Sequence, residues 1–176
     1  MKRSLRRSKK AVSPVIATII IVAVAIVMSI AVAYWMLGLA GTFTRFEKLE
    51  FVSAYAIKDD SKSHFNITIQ LKNTGSSSAT INIILFNGIP NRDVNALKGL
   101  YLNKTADNLR SLQGLKNFNS SSAIGYTLNP GEEAYGLIIL KQYGKIGAAN
   151  VTSGITIEIM VQTVAGNQYP KTIVLP

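Results

Sequence analysis

The sequence predicts an α+β protein: one long hydrophobic N-terminal helix followed by an all-β sandwich head. Three observations carry this. Ala11 through Thr44 contains no charged residue and is almost wholly apolar. Charges resume at Arg45, and beyond it apolar residues fall on alternate positions, the period of a half-buried strand. Clusters of turn residues separate about seven such runs, the spacing of a sandwich rather than of alternating strands and helices.

The chain has 176 residues, with 19 basic against 9 acidic and a net charge of +10. Six of those cations, Lys2, Arg3, Arg6, Arg7, Lys9 and Lys10, lie within residues 1–11. The remainder carries 13 basic and 9 acidic residues, an ordinary surface charge rather than a dominant cationic field. With no cysteine, disulfides, thiol nucleophiles and cysteine metal sites are excluded. A single histidine excludes a two-histidine metal motif.

The apolar run is read as helix 12–44. Pro14 to Trp35 spans about 32 Å at 1.5 Å per residue, a match to a bilayer core of roughly 30 Å. Tyr34 and Trp35 then fall at the far interface, where amphipathic rings prefer to sit. The preceding cations hold the N-terminus in the cytoplasm and direct the C-terminal part outside. Gly38 and Gly41 loosen or end the helix beyond the bilayer. A secretory signal has an apolar region of only about 7–15 residues. A cut after Gly38-Leu39-Ala40 nevertheless leaves a secreted soluble protein as one alternative.

Lys9-Lys10-Ala11 runs directly into Val12-Ser13-Pro14-Val15-Ile16-Ala17-Thr18. Ser13 suits an N-cap and Pro14 the first helical turn. The stretch from Lys10 to Ile21 resembles the N-terminus of archaeal type IV pilins. The resemblance implies a class III signal peptide, a cleaved basic leader of residues 1–11. Its cleavage site is formed by Lys10, Ala11 and Val12, and Val12 starts the mature chain. Bacterial members usually carry glutamate at the fifth mature position, here Ile16, so the likeness is to the archaeal branch. It covers residues 9–37 and implies several partners: identical subunits in a helical homopolymer, a prepilin peptidase, an assembly ATPase and a membrane platform protein. Archaeal pilins generally carry β-sandwich heads, in agreement with the strand pattern.

Small residues recur along the helix at Ala17, Ala25, Ser29 and Ala33. Such a stripe lets helices approach closely in an apolar setting. The other positions are nearly all Ile, Val, Leu or Met, so no polar face exists and the helix suits lipid or a packed helical core. A plain membrane anchor has the same composition, and the Lys-Ala-Val-Ser-Pro junction is what favours the pilin.

The head, residues 45–176, is long enough for one domain. Strands are predicted at 50–57, 65–72, 79–86, 134–141, 155–161 and 172–175. Asp59-Asp60-Ser61, Asn73-Thr74-Gly75-Ser76, Asn129-Pro130-Gly131 and Ala165-Gly166-Asn167 supply turns. The pattern is immunoglobulin-like in architecture. Residues 90–122 are less regular; Tyr101–Phe118 is read as a short helix or an irregular excursion, and as the most exposed part of the surface.

Four sequons mark candidate N-glycosylation sites: Asn66, Asn103, Asn119 and Asn150. Asn103 and Asn119 are favoured because they lie in the irregular stretch. His64 with Asp59 and Asp60 sits on one tight hairpin and reads as a solvated turn, so no metal site is assigned. Glu132 and Glu133 are adjacent and point to opposite strand faces, a poor acid–base pair. No nucleophile elbow, phosphate loop or dinucleotide fingerprint occurs. The expectation is therefore no enzyme, no cofactor and no specific nucleic-acid site, since the head's cations are dispersed among acids without an aromatic–basic repeat.

Together these imply a cell-surface structural protein that passes through the cytoplasmic membrane and serves attachment as an extracellular filament. An archaellum filament subunit and a monomeric single-pass surface-binding protein are the alternatives.

Overall fold

The computed structural model describes residues 13–43, 45–107, 112 and 115–176. Lys10, Ala11 and Val12 lie outside the described residues. The chain divides into two compact units at Thr44/Arg45.

The first unit holds one helix, α1 (Pro14–Phe43), 30 residues long and therefore about 45 Å. Proline at its first position has no N–H to leave unsatisfied. The Ser13 carbonyl accepts the first helical bond, from Ala17 N at 3.1 Å. Gly38 and Gly41 were expected to loosen or end the helix, and α1 instead runs through both. Uninterrupted apolar sequence, with no proline after Pro14, removes any competing partner for the backbone there.

The second unit is a β-sandwich. Its strands are β1 (Leu49–Asp59), β2 (His64–Asn73), β3 (Ala79–Phe86), β4 (Ile89–Pro90), β5 (Leu97–Asn103), β6 (Tyr126–Leu128), β7 (Glu133–Lys141), β8 (Lys145–Ile146), β9 (Ala149–Asn150), β10 (Thr156–Thr163) and β11 (Gln168–Val174). One sheet has the order β1-β2-β7-β5, the other β11-β10-β3-β4 with β6 also on β3, and β8-β9 form a small hairpin. Every pairing is antiparallel. Alternation puts Phe65, Ile67, Ile69 and Leu71 of β2 inward with Ile138 and Leu140 of β7. They share a single core with Ile81, Ile84 and Phe86 of β3 and Ile157, Ile159 and Val161 of β10. Each such side chain contributes about 1.5–3 kcal/mol by leaving water.

The α+β class and the two-sheet head follow the sequence, and the six predicted strands all occur. Residues 90–122 do not behave as expected. A short 3₁₀ turn, Asn91–Asp93, leads into β5, a seven-residue strand. Val94, Ala96, Leu97, Leu100, Leu102 and Phe118 are buried, so this stretch supplies core rather than the most exposed surface. A register shift between Leu97 and Gly99 turns Leu97 and Leu100 inward three positions apart, with Gly99 covered on the outer face by the Tyr101 ring, which breaks strict alternation.

Candidate functional site

The apolar helix is the first candidate. Two of its hydroxyl side chains are satisfied by their own backbone: Thr18 Oγ1 donates to Val15 O at 2.8 Å and Ser29 Oγ to Ala25 O at 2.7 Å. Neither therefore presents an unmet donor to a surrounding apolar phase. Pro14–Gly41 is long and apolar enough to cross a membrane, with a mean hydropathy of 3.1, and its most apolar stretch is unburied within the chain.

Ala25, Ser29 and Ala33 all lie exposed on α1, whereas Ala17 is half-buried. Four residues turn a helix by about 400°, so the stripe drifts about 40° at each step. Ala25 to Ala33 thus cover about 80°, a usable face for a close right-handed crossing of the kind small-residue stripes favour. Ala17 lies about another 80° round the helix. A shallow groove runs instead along Thr18, Ile19, Val22, Ala23 and Ile26. Ala23 was not singled out in the sequence; the signal was present, as a small residue set among larger aliphatic ones.

A second feature lies at the start of the head. Phe46, Glu47 and Lys48 thread over the β2–β3 connection as a collar. Phe46 O accepts from Ser76 N and Ser77 N at 3.0 and 3.2 Å, and Lys48 O from Thr74 N and Gly75 N at 2.8 and 3.2 Å. Phe46 N donates to Ser76 Oγ at 3.1 Å. Glu47 reaches the β10–β11 hairpin, where Thr163 Oγ1 and Asn167 Nδ2 donate to its Oε2 at 2.9 and 3.3 Å, and Tyr169 OH donates to its carbonyl at 3.2 Å. Buried Asn73 fixes the loop from below: its amide nitrogen donates to Ser77 O and Leu128 O, both at 2.9 Å, and its Oδ1 accepts from Gly75 N at 3.0 Å. A Cβ at Gly75 would stand 2.5 Å from Phe46 O and 2.6 Å from Lys48 N, so only glycine admits this approach.

The sequons are placed differently from expectation. Asn103 ends β5, half-buried, and its Oδ1 accepts from Thr105 N and Oγ1 at 3.1 and 3.3 Å. The Asn119 amide, the atom a glycan would need, donates to Lys98 O at 3.3 Å. Asn66 is half-buried within β2, and Asn150 is exposed at the end of β9. Accessibility thus ranks Asn150 first and reverses the preference for Asn103 and Asn119. Asn103 is held at the end of a paired strand and Asn119 by its bond to the β5 backbone, while residues 108–111 and 113–114 of the Tyr101–Phe118 stretch lie outside the described residues.

The carboxylates have separate partners. Glu132 accepts from Lys104 Nζ at 2.8 Å and from Asn129 N at 2.9 Å, which hold it below the usual carboxylate range. Glu133 is likewise lowered, by Lys72 first and then by Gln70 and Tyr135. Asp60 pairs with Lys58 at 2.7 Å and Asp59 accepts from Ser61 Oγ at 2.5 Å. Among the described residues no group of three metal-ligating side chains occurs.

No family model and no curated protein matches the sequence. Among solved structures, the chain is similar to the archaellum periplasmic stator protein FlaG from Sulfolobus acidocaldarius. The identity is 16%, over 72% of this chain and 99% of that one, with a TM-score of 0.36. It is also similar to the apo PCuAC domain from PmoF1, at 13% identity over 74% and 98% of the two chains, with a TM-score of 0.38. At such identities and scores neither likeness bears on what this chain does.

Proposed function

We propose that this protein is a structural subunit, a major pilin, of an archaeal type IV pilus filament that attaches cells to surfaces. The observation that supports this best is the junction of a six-cation leader, ending Lys10-Ala11, with the helix-starting Val12-Ser13-Pro14. The helix that follows has no charge, and its Thr18 and Ser29 hydroxyls are bonded to its own backbone. A prepilin peptidase would cut between Ala11 and Val12, and an assembly ATPase with a membrane platform protein would drive polymerisation. The helix leaves lipid for a core of identical helices, and the head stays outside. In this reading the chain is not an enzyme and needs no cofactor; its work is mechanical. The collar at 46–48 suits that work, because load reaching the head along the chain meets backbone bonds to the β2–β3 connection and side-chain bonds from the β10–β11 hairpin before it reaches β1.

The test is to shear cells and determine the N-terminus of the protein in the released high-molecular-weight fraction by mass spectrometry. A start at Val12 in fibres supports the pilin. An intact Met1 that stays with the membrane means an anchored monomer, and a start near Gly41 means a secreted protein; either overturns the reading. Loss of swimming in a deletion strain would assign the filament to an archaellum instead.

A further inference from the structure

The outward face of the β1-β2-β7-β5 sheet is not uniformly polar. Register places Ile57, Asn66 and Ile139 side by side, with Tyr55, Thr68 and Leu137 in the adjoining row. Both rows line a cleft of about 620 Å³, within the roughly 300–1,000 Å³ of small-ligand sites. Tyr55 and Ile57 are 49% and 57% exposed, a large apolar surface to leave in water on the outer side of a sheet. Between them and the β7 residues stand the Asn66 amide and the Thr68 hydroxyl. No described residue hydrogen-bonds either side chain, so both keep donors and acceptors for something else.

One end of the cleft is cationic. Lys62, Lys98 and His64 line it, and Lys141 pairs with His64 across the strands. Against these stands Asp59, itself 3.9 Å from Lys62. Burial and then the Lys98 charge push the His64 imidazole below its usual range, with Lys62 and Lys141 acting in the same direction and Asp59 opposing them. The field at this end therefore favours an incoming anion.

An open aromatic ring, unengaged amide and hydroxyl groups, and cations gathered at one end match the faces of a sugar ring, its hydroxyls and a carboxylate. The geometry points to a binding site for a short acidic oligosaccharide, its rings over Tyr55 and its carboxylate toward Lys98 and His64. This deepens the attachment reading and rests on it for where the ligand is met, on a foreign surface or a neighbouring cell. Binding itself is a property of the single chain.

The test uses the full chain, made without glycosylation and solubilised in an uncharged detergent, titrated calorimetrically with trigalacturonate and with neutral cellotriose. Trigalacturonate is expected to bind about tenfold or more tightly than cellotriose and to weaken in 0.5 M salt, about fivefold or more, because the Debye length shrinks. Tyr55→Ala is expected to weaken both sugars about tenfold, and Lys98→Glu only the acidic one, each about 1.4 kcal/mol. Both positions are exposed, so circular dichroism should show the fold unchanged. No binding of trigalacturonate, equal binding of the two sugars, or an unaffected Tyr55→Ala would overturn the inference. None of these outcomes depends on filament formation, which the shearing experiment decides separately.

Discussion

Gly75→Ala tests the collar. The added methyl would meet Phe46 O at 2.5 Å and Lys48 N at 2.6 Å. Both are backbone atoms, so the 46–48 segment must move rather than a flexible side-chain end. That movement strains four bonds, from Ser76 N and Ser77 N to Phe46 O and from Thr74 N and Gly75 N to Lys48 O. Losing two of them costs about 1–3 kcal/mol at the net value of a typical hydrogen bond. Replacing glycine returns about 0.4–1 kcal/mol by restricting the unfolded chain, which leaves a net loss of about 1–2 kcal/mol. For a domain of this size that is a fall in Tm of about 3–8 °C. Thermal unfolding of the head by circular dichroism, on the full chain in detergent, reads it. Limited trypsin digestion gives a local readout, since a displaced collar should speed cleavage at Lys48. Gly41→Ala is the matched control, because a Cβ there meets nothing within 4 Å. An unchanged or raised Tm for Gly75→Ala would show that the unfolded-state gain acts alone and that the collar does not hold the segment.

Replacing Lys10 or Ala11 by glutamate should leave the full-length precursor in membranes and abolish fibres, read by mass spectrometry and electron microscopy; normal filaments from either variant would sink the processing mechanism. The His64 shift makes a pH prediction for the head. Its pKa is lowered in the folded state, so its stabilising contribution is present above the unfolded value of about 6.5 and is lost as the pH falls through the folded value. His64→Gln should therefore lose less Tm than the parent chain between pH 7.5 and 5. A parallel fall in both would assign the acid sensitivity elsewhere.

The two-sheet head was legible where strands keep strict alternation. Phe65-Asn66-Ile67-Thr68-Ile69 states its own period, and the structure buries the odd-numbered members and leaves the even ones outside. β3 was legible despite an irregularity, since its aliphatic run is long enough to survive the change of face between Asn82 and Ile83. β5 was not. Its bulge at Lys98 puts Leu97 and Leu100 inward, three residues apart, and leaves Gly99 on the outer face opposite Ile139, so a count of every second residue fails. Gly99 adds to the disguise. A glycine in a strand reads as a break, yet here the outward Tyr101 ring fills the space a side chain would occupy, 2.5 Å from an imagined Cβ.

The same logic separates what the two candidate surfaces could announce. The helix writes its chemistry along consecutive positions, so absence of charge and spacing of small residues are visible without knowing any partner. The cleft is written across strands. Tyr55, Asn66 and Ile139 are far apart in the chain and meet only through register, and each alone is an ordinary strand residue. Lys98 reaches the cleft only because β5, the strand that alternation conceals, pairs with β7. A single bulge thus hid both a core strand and one wall of a cationic cleft. Lys98, Lys104, Arg110 and Lys116 recur every six residues, which matches no period; Arg110 lies outside the described residues, and the other three have unrelated roles: Lys98 at the cleft, Lys104 on Glu132, and Lys116 with its Nζ 5.3 Å from the centre of the Phe118 ring.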